Sequence, residues 1–225
     1  MPEQTPRTLN HYALYTFKDA YFTLDAWARA EFHQRWLNSL RASAHIEIYQ
    51  AASDADLLVW SAVPVEDTAS AARFFELSAA AANISRPLLQ PITSLWGFTR
   101  PSQYTKSASS QEIDPFAETR KPYLVIYPFT KTTEWYLMSR EARQGMMNEH
   151  IRIGKQYEEI NQLLLYSFGL QNQEFVVVYE MDDLTRFSDL VNELRDTEGR
   201  RYTLRDTPLH SAVYHPAEET LALWK

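Results

Sequence analysis

The chain has 225 residues, enough for one large domain or two of about 100 residues each. Its apolar (45%) and charged (23%) fractions are those of an ordinary soluble globular protein. Its formal charge of −7 repels phosphate backbones and argues against nucleic acid as a partner, and the absence of cysteine excludes disulfides, thiolate metal sites, cysteine nucleophiles and thioether-linked cofactors.

The N-terminus, MPEQTPRTLN, has no basic region followed by an apolar run, so no secretory leader is expected. No stretch approaches the length of a transmembrane helix, so no membrane insertion is expected. Leu9 to Lys18 alternates, with His11, Ala13, Tyr15 and Phe17 on one side, and predicts a strand. Thr23 is placed to cap a helix carrying Trp27, Phe32, Trp36, Leu37 and Leu40. His45–Gln50 and Asp56–Val63 read as two strands, the second stopped by Pro64. Glu66–Ser85 is alanine-rich and helical, with Phe74, Phe75 and Leu77 as bulky contacts. Ser94–Tyr104 reads as a further strand.

Residues 105–122 are polar, serine-rich and without apolar periodicity. They are expected to link two halves or to cross the surface. The pattern then repeats. Tyr123–Phe129 is a strand, Ser139–Tyr157 a helix, and Asn161–Phe168 and Glu174–Glu180 are strands. Asp182 or Asp183 caps a helix striped by Leu184, Phe187, Leu190, Val191 and Leu194, ended by Gly199. A last strand lies near Leu209–Tyr214. Each half is therefore β-α-β-β-α-β, and the fold class is α+β. The division is an N-terminal half over 1–110, a linker over 111–122 and a C-terminal half over 123–225. Two such sheets back to back close into a barrel and remove exposed sheet edges.

Chemistry concentrates in residues 123–169. His150 shares a helical stripe with Ala142, Met146, Met147, Ile153 and Tyr157. It is either a hydrogen-bonded core histidine or an axial ligand to heme iron, which needs a neutral imidazole in an apolar wall. It has no histidine three or four residues away, as a zinc or mononuclear iron motif would. Tyr127 and Trp135 are either packing residues or contacts to a flat ligand. Arg120, Lys121, Lys131, Arg201 and Arg205 are solvated charges singly, and a carboxylate-binding set if they converge. Only five glycines are present, none in a phosphate-binding loop, and no G-x-S-x-G element suggests a hydrolase.

The segments YPFTKTTEWYLMSREARQGMMNEHIRIGKQY, YSFGLQNQEFVVVYEMDDLTRF and RRYTLRDTP resemble the chlorite dismutase-like family, with the bacterial coproheme decarboxylases as the closer branch. The similarity is strong over about residues 120–215, while the first half agrees in element order and in TRPSQYT. The resemblance implies two ferredoxin-like repeats forming a dimeric α+β barrel in one chain, assembly as a homopentamer and a cytoplasmic location. It implies conversion of iron coproporphyrin III (coproheme) to heme b with hydrogen peroxide as oxidant. It makes His150 the axial iron ligand, Tyr127 the radical-forming residue and Lys131 its catalytic companion. It places Trp135 at the porphyrin edge, Arg201 and Thr207 at the propionates, and Gln162 on the distal side. Chlorite dismutases carry an arginine at the distal position, and none stands between Lys155 and Phe168. Phe129 stands where decarboxylases often have methionine. The alternatives are a non-catalytic heme-binding protein and a chlorite dismutase-like peroxidase.

Overall fold

Strand alternation in the first segment sorts its side chains into two cores. Tyr12 and Leu14 point into one cluster, and Tyr15 and Phe17 into another. The computed structural model describes residues 7–52, 54–104 and 109–225. The polar tip of the N-terminus and the start of the connecting stretch lie outside the described residues. The first half runs β1 (Thr8–Phe17), α1 (Asp19–Phe22), α2 (Ala26–Ser43), β2 (His45–Ala51), β3 (Leu57–Pro64), α3 (Ser70–Ser85) and β4 (Leu89–Thr99). The second runs β5 (Tyr123–Lys131), α4 (Thr133–Leu137), α5 (Arg140–Gly154), β6 (Asn161–Tyr166), β7 (Phe175–Met181) and α6 (Leu184–Arg195). A 3-10 turn (Glu198–Tyr202), β8 (Thr203–Arg205), β9 (His210–Tyr214) and α7 (Ala217–Ala222) complete it.

Each half forms an antiparallel sheet with the same strand order, β4-β1-β3-β2 and β9-β5-β7-β6. Two seams join them. Phe98 and Thr99 of β4 pair with Tyr166 and Leu165 of β6, and Tyr49–Ala51 of β2 pair with Tyr214–Ala212 of β9. The two sheets thus close into one barrel of eight strands, with β8 extending the end of β5. This is the α+β architecture of two ferredoxin-like repeats, a dimeric barrel within one chain. Closure pairs the ends of the outer strands, though only Phe98 and Thr99 of β4 reach β6.

The barrel interior is apolar, with Trp60, Leu58, Leu124, Ile126, Leu163 and Val178 all buried. Its main polar feature is Arg120, whose side chain is 1% exposed. Its guanidinium lies 4.8 Å over the Trp60 ring, 3.3 Å from Glu180, and donates to the Asp114 carbonyl at 2.7 Å. Arg120 is therefore not the surface charge the sequence suggests. Two partners distant in the chain, Glu47 and Glu180, hold it inside. Burial raises the pKa of the Glu180 carboxyl, with Arg120 opposing it. Residues 109–122 therefore do more than span the halves, since Ile113 is buried too.

Other local expectations change for physical reasons. Asp25, not Thr23, caps α2 by accepting from the Ala28 N–H, while the Thr23 hydroxyl donates back to Ala20. Trp27 stands 74% exposed rather than on the buried stripe, and Phe75 and Leu77 are also exposed. Helix α6 ends at Arg195, ahead of Gly199, and Asp183 is its cap. The fourth strand begins at Leu89 and ends at Thr99, not Tyr104. The short elements α1, α4, β8 and α7 have too few residues to show a period.

Gly97 marks the β4–β6 seam. A Cβ there would lie 2.6 Å from the Ser167 Oγ and 2.7 Å from the Tyr166 carbonyl oxygen. Gly97→Ala is expected to force the seam apart and to cost about 1–3 kcal/mol. A denaturant midpoint equal to that of the parent would show that the seam tolerates the methyl group.

Candidate functional site

The two halves share a strand order but use their helices differently. In the first half α2 seats Phe32, Trp36, Leu37 and Leu40 in the core over the sheet. In the second, α5 contributes one fully buried residue, Ile153, while Met146, Met147 and His150 are half-buried. The outer face of β5, β7 and β6 beside it carries rows of large side chains. Tyr127 is in register with Val177 and Leu164, and Phe129 with Phe175 and Tyr166. Leu164 and Phe168 remain 36% and 45% exposed. An under-covered aromatic sheet face next to a helix is a surface for a flat apolar ligand.

Helix α5 starts at Ser139, whose hydroxyl accepts from the Ala142 N–H at 3.2 Å. Three turns on, His150 reaches the neighbourhood of Lys131. Burial first, then the Lys131 charge, lower the His150 pKa to about 4, with Glu149 opposing. The imidazole is neutral at pH 7 and keeps a lone pair for a metal. Lys131, at the end of β5, is held by the Gly199 carbonyl (3.1 Å) and the Thr203 hydroxyl (3.2 Å). Its ammonium stands 4.6 Å over the Trp135 ring. Burial, then Arg200, bring its pKa down to about 8. It still carries its charge at pH 7. Trp135 is buried and lies 6.0 Å from the Tyr202 ring.

Tyr127 is half-buried on the outer face of β5. Its ring lies 6.2 Å from that of Tyr179 at a shallow angle. Burial, then Tyr179, push its hydroxyl pKa well above the usual phenol range. Tyr127 therefore keeps its proton throughout the physiological range. Gln162 is exposed, on β6, in register with Tyr179.

Lys131 and Trp135 are thus in contact, His150 lies near enough to feel the Lys131 charge, and Tyr127 shares the sheet face of Lys131. Arg201 and Thr207 do not join them directly. Arg201 is 75% exposed and pairs with Glu198 at 3.2 Å, and Thr207 is exposed. Arg120 lies on the other side of the sheet, and Lys121 pairs with Asp182. Arg195 and Arg200 both reach Asp206 at 2.7 Å.

Sequence reasoning misses Glu174. Its carboxylate accepts the Lys131 N–H at 2.8 Å and the Tyr136 hydroxyl, fixing the end of β5 against α4. Nothing in the spacing marks it, because its partners lie 43 and 38 residues away. Among the described residues, no three His, Asp or Glu side chains gather to hold a bare metal ion. One neutral imidazole suffices where a macrocycle supplies the remaining ligands. The residues present fit a metalloporphyrin: an aromatic face, a half-buried neutral histidine, and a charged lysine beside it.

Residues 26–214 match the family model for chlorite dismutase, and the chain belongs to that family. Coproheme decarboxylase of Mycolicibacterium smegmatis is 31% identical over 173 residues, 76% of this chain and 71% of that protein. A mutant chlorite dismutase from Candidatus Nitrospira defluvii superposes with a TM-score of 0.84 at 19% identity, covering 96% of this chain and 95% of that one. A heme-binding protein from Thermus thermophilus superposes with a TM-score of 0.82 at 20% identity, covering 99% and 96%. At those identities the two structures speak for the fold alone.

Proposed function

We propose that this protein is a coproheme decarboxylase that converts iron coproporphyrin III to heme b with hydrogen peroxide. The observation that carries the reading is an open aromatic sheet face bearing a protonated Tyr127, ended by a charged Lys131 over Trp135, with a neutral His150 on the neighbouring helix within reach of the Lys131 charge. The Mycolicibacterium relative supports the substrate. A cytoplasmic location and a homopentamer belong to the proposal, on the family resemblance of the sequence alone, and the lack of cysteine suits a reducing compartment.

Bound ferric iron, part of the substrate itself, supplies the redox centre. His150 holds it through the imidazole lone pair, in a setting too dry for the ring to protonate. The apolar face of Phe129, Phe175 and Val177 orients the ring and excludes water. Lys131 pairs with propionate charge through its remaining proton, since two are already directed at Gly199 and Thr203. Tyr127 gives up its phenolic hydrogen atom and takes one from the propionate β-carbon. The β-carbon radical then gives a second electron to the peroxide-derived oxidant and loses carbon dioxide, leaving a vinyl group. Per propionate, one proton and two electrons leave the side chain, and hydrogen peroxide takes two electrons and two protons to become two waters.

The deciding experiment mixes purified protein with ferric coproporphyrin III and peroxide and follows monovinyl and divinyl products by mass spectrometry. A histidine-bound spectrum without vinyl products would favour a non-catalytic heme-binding protein instead. The chlorite dismutase-like alternative is tested separately. Gln162 offers a neutral amide that donates a hydrogen bond but brings no positive charge. Chlorite is therefore expected to yield little or no oxygen. Rapid, sustained oxygen release on an oxygen electrode would move the protein to that branch.

A further inference from the structure

The end of α5 and the start of β6 are both tied to one side chain in the connection between the halves. The Gln111 amide donates to the Tyr157 carbonyl at 2.8 Å and the Ile160 carbonyl at 3.0 Å, and lies 3.4 Å from the Gly154 carbonyl. Those oxygens line the exit from the helix that carries His150. The main chain of the same segment grips β6. The Gln162 N–H donates to the Gln111 carbonyl at 2.7 Å, and the Ile113 N–H donates to the Gln162 carbonyl at 3.0 Å. Glu112 and Gln162 form a parallel bridge. Beyond it the segment is anchored inside the barrel by buried Ile113 and by Arg120, which donates to the Asp114 and Ala117 carbonyls.

We propose that Gln111 is a positioning residue that fixes Gln162 relative to the His150 helix, and so sets where a distal ligand is met across the porphyrin. The inference rests on the reading of His150 and Gln162 given above. Its physical basis is independent of any porphyrin. Helix α5 seats only Ile153 fully in the core, so packing alone places it loosely. The main chain closes this turn in part, since the Gly154 and Tyr157 carbonyls accept the Tyr157 and Ile160 N–H groups at 3.1 and 3.0 Å, and the Gln111 amide adds the side-chain donor that ties it to the connection. A donor shared between Tyr157 and Ile160 closes the loop from Lys155 to Ile160 onto the strand. Gln111 touches no reacting atom. It acts through the backbone of Gln162.

Gln111→Met keeps the length and removes the donor. Gln111→Lys restores donors to the same carbonyls, and a cation suits the negative end of a helix. Amide exchange of the unliganded protein gives the first measurement. In Gln111→Met, exchange at Ile153, Gly154 and Gln162 should quicken about tenfold, as expected for one or two lost hydrogen bonds. Exchange across β1 and β3 should stay at the parent rate. The second measurement uses ferric protoheme, with cyanide as the distal probe. Gln111→Met should keep the histidine-bound spectrum while its cyanide affinity falls several-fold, and Gln111→Lys should recover both the affinity and the exchange rates. Parent-like exchange and cyanide affinity in Gln111→Met would overturn the proposal. So would equal slackening throughout the barrel, or a Gln111→Lys protein no better than Gln111→Met. If the parent itself shows no histidine-bound heme, the reading of His150 fails, and the exchange data still decide whether Gln111 couples the helix to β6.

Discussion

His150→Ala is expected to abolish the histidine-bound ferric spectrum and to weaken porphyrin retention while leaving the barrel folded. The barrel strands do not depend on this side chain. The helix keeps its Ser139 cap, its Ile153 anchor, and the tie from the Glu149 carboxylate, which accepts the Glu198 N–H at 3.2 Å. Truncating a half-buried side chain typically costs no more than about 3 kcal/mol, within the reach of a stable domain. The imidazole is held neutral by burial and by Lys131, whereas burial alone lowers the pKa of His11 as far. No hydrogen bond to its ring is formed among the described residues, although burial and Lys131 both hold it neutral. Below pH 6.5 the unfolded chain protonates this ring while the folded protein resists until about pH 4, so the parent loses stability as pH falls through that window. His150→Ala should lose that part of the acid sensitivity. An unchanged axial-ligand spectrum in a folded His150→Ala protein would remove His150 from the iron.

Much of this arrangement is legible in the chain, for reasons specific to each element. The alternation in Leu9–Lys18 and the continuous apolar run inside Glu174–Glu180 both mark strands, and both are strands. The stripe of Met146, Met147, His150 and Ile153 follows from helical spacing, as does its inward face. Spacing does not reveal how far the helix stands from the sheet. The halves differ in how fully the helix is seated, with Phe32, Trp36, Leu37 and Leu40 buried on α2 and only Ile153 among the apolar residues of α5. Helical spacing also identifies a stripe without its edges, and Trp27 lies past the edge. A serine-rich polar context makes Arg120 look solvated. The carboxylates that bury it, Glu47 and Glu180, lie on strands of different halves. Glu174 and Gln111 are invisible for the same reason, since each acts on backbone groups tens of residues away. The family resemblance carries His150, Tyr127, Lys131 and Gln162 as candidates. Their chemistry has to come from burial and neighbours.

Tyr127→Phe is the substitution on which the proposed activity turns, and its expected effect is the larger of the two. Phenylalanine keeps the ring and most of the volume on β5, opposite Val177 and beside Tyr179. Only the oxygen is lost. If Tyr127 is a packing residue, the change should cost about 0.5–1.5 kcal/mol and leave turnover largely intact. Its place on the open sheet face argues otherwise. Burial and Tyr179 raise the pKa of the hydroxyl, so the residue is a protonated phenol at every working pH. A protonated phenol has a hydrogen atom to give, and a phenolate does not. The ring also lies on the sheet face that an apolar macrocycle would cover, in one row with Val177 and Leu164. Lys131 is four residues further along the same strand, where it can hold a carboxylate near that face. Tyr127→Phe should therefore bind ferric coproporphyrin with His150 on the iron and still consume peroxide. Monovinyl and divinyl products should fall to near background, and bleaching of the porphyrin should rise because oxidising equivalents have lost their route to the propionate. Lys131→Met should impair turnover while leaving the phenol in place, so the two variants separate loss of the relay from loss of carboxylate placement. Normal divinyl heme from a well-folded Tyr127→Phe protein would defeat the mechanism outright.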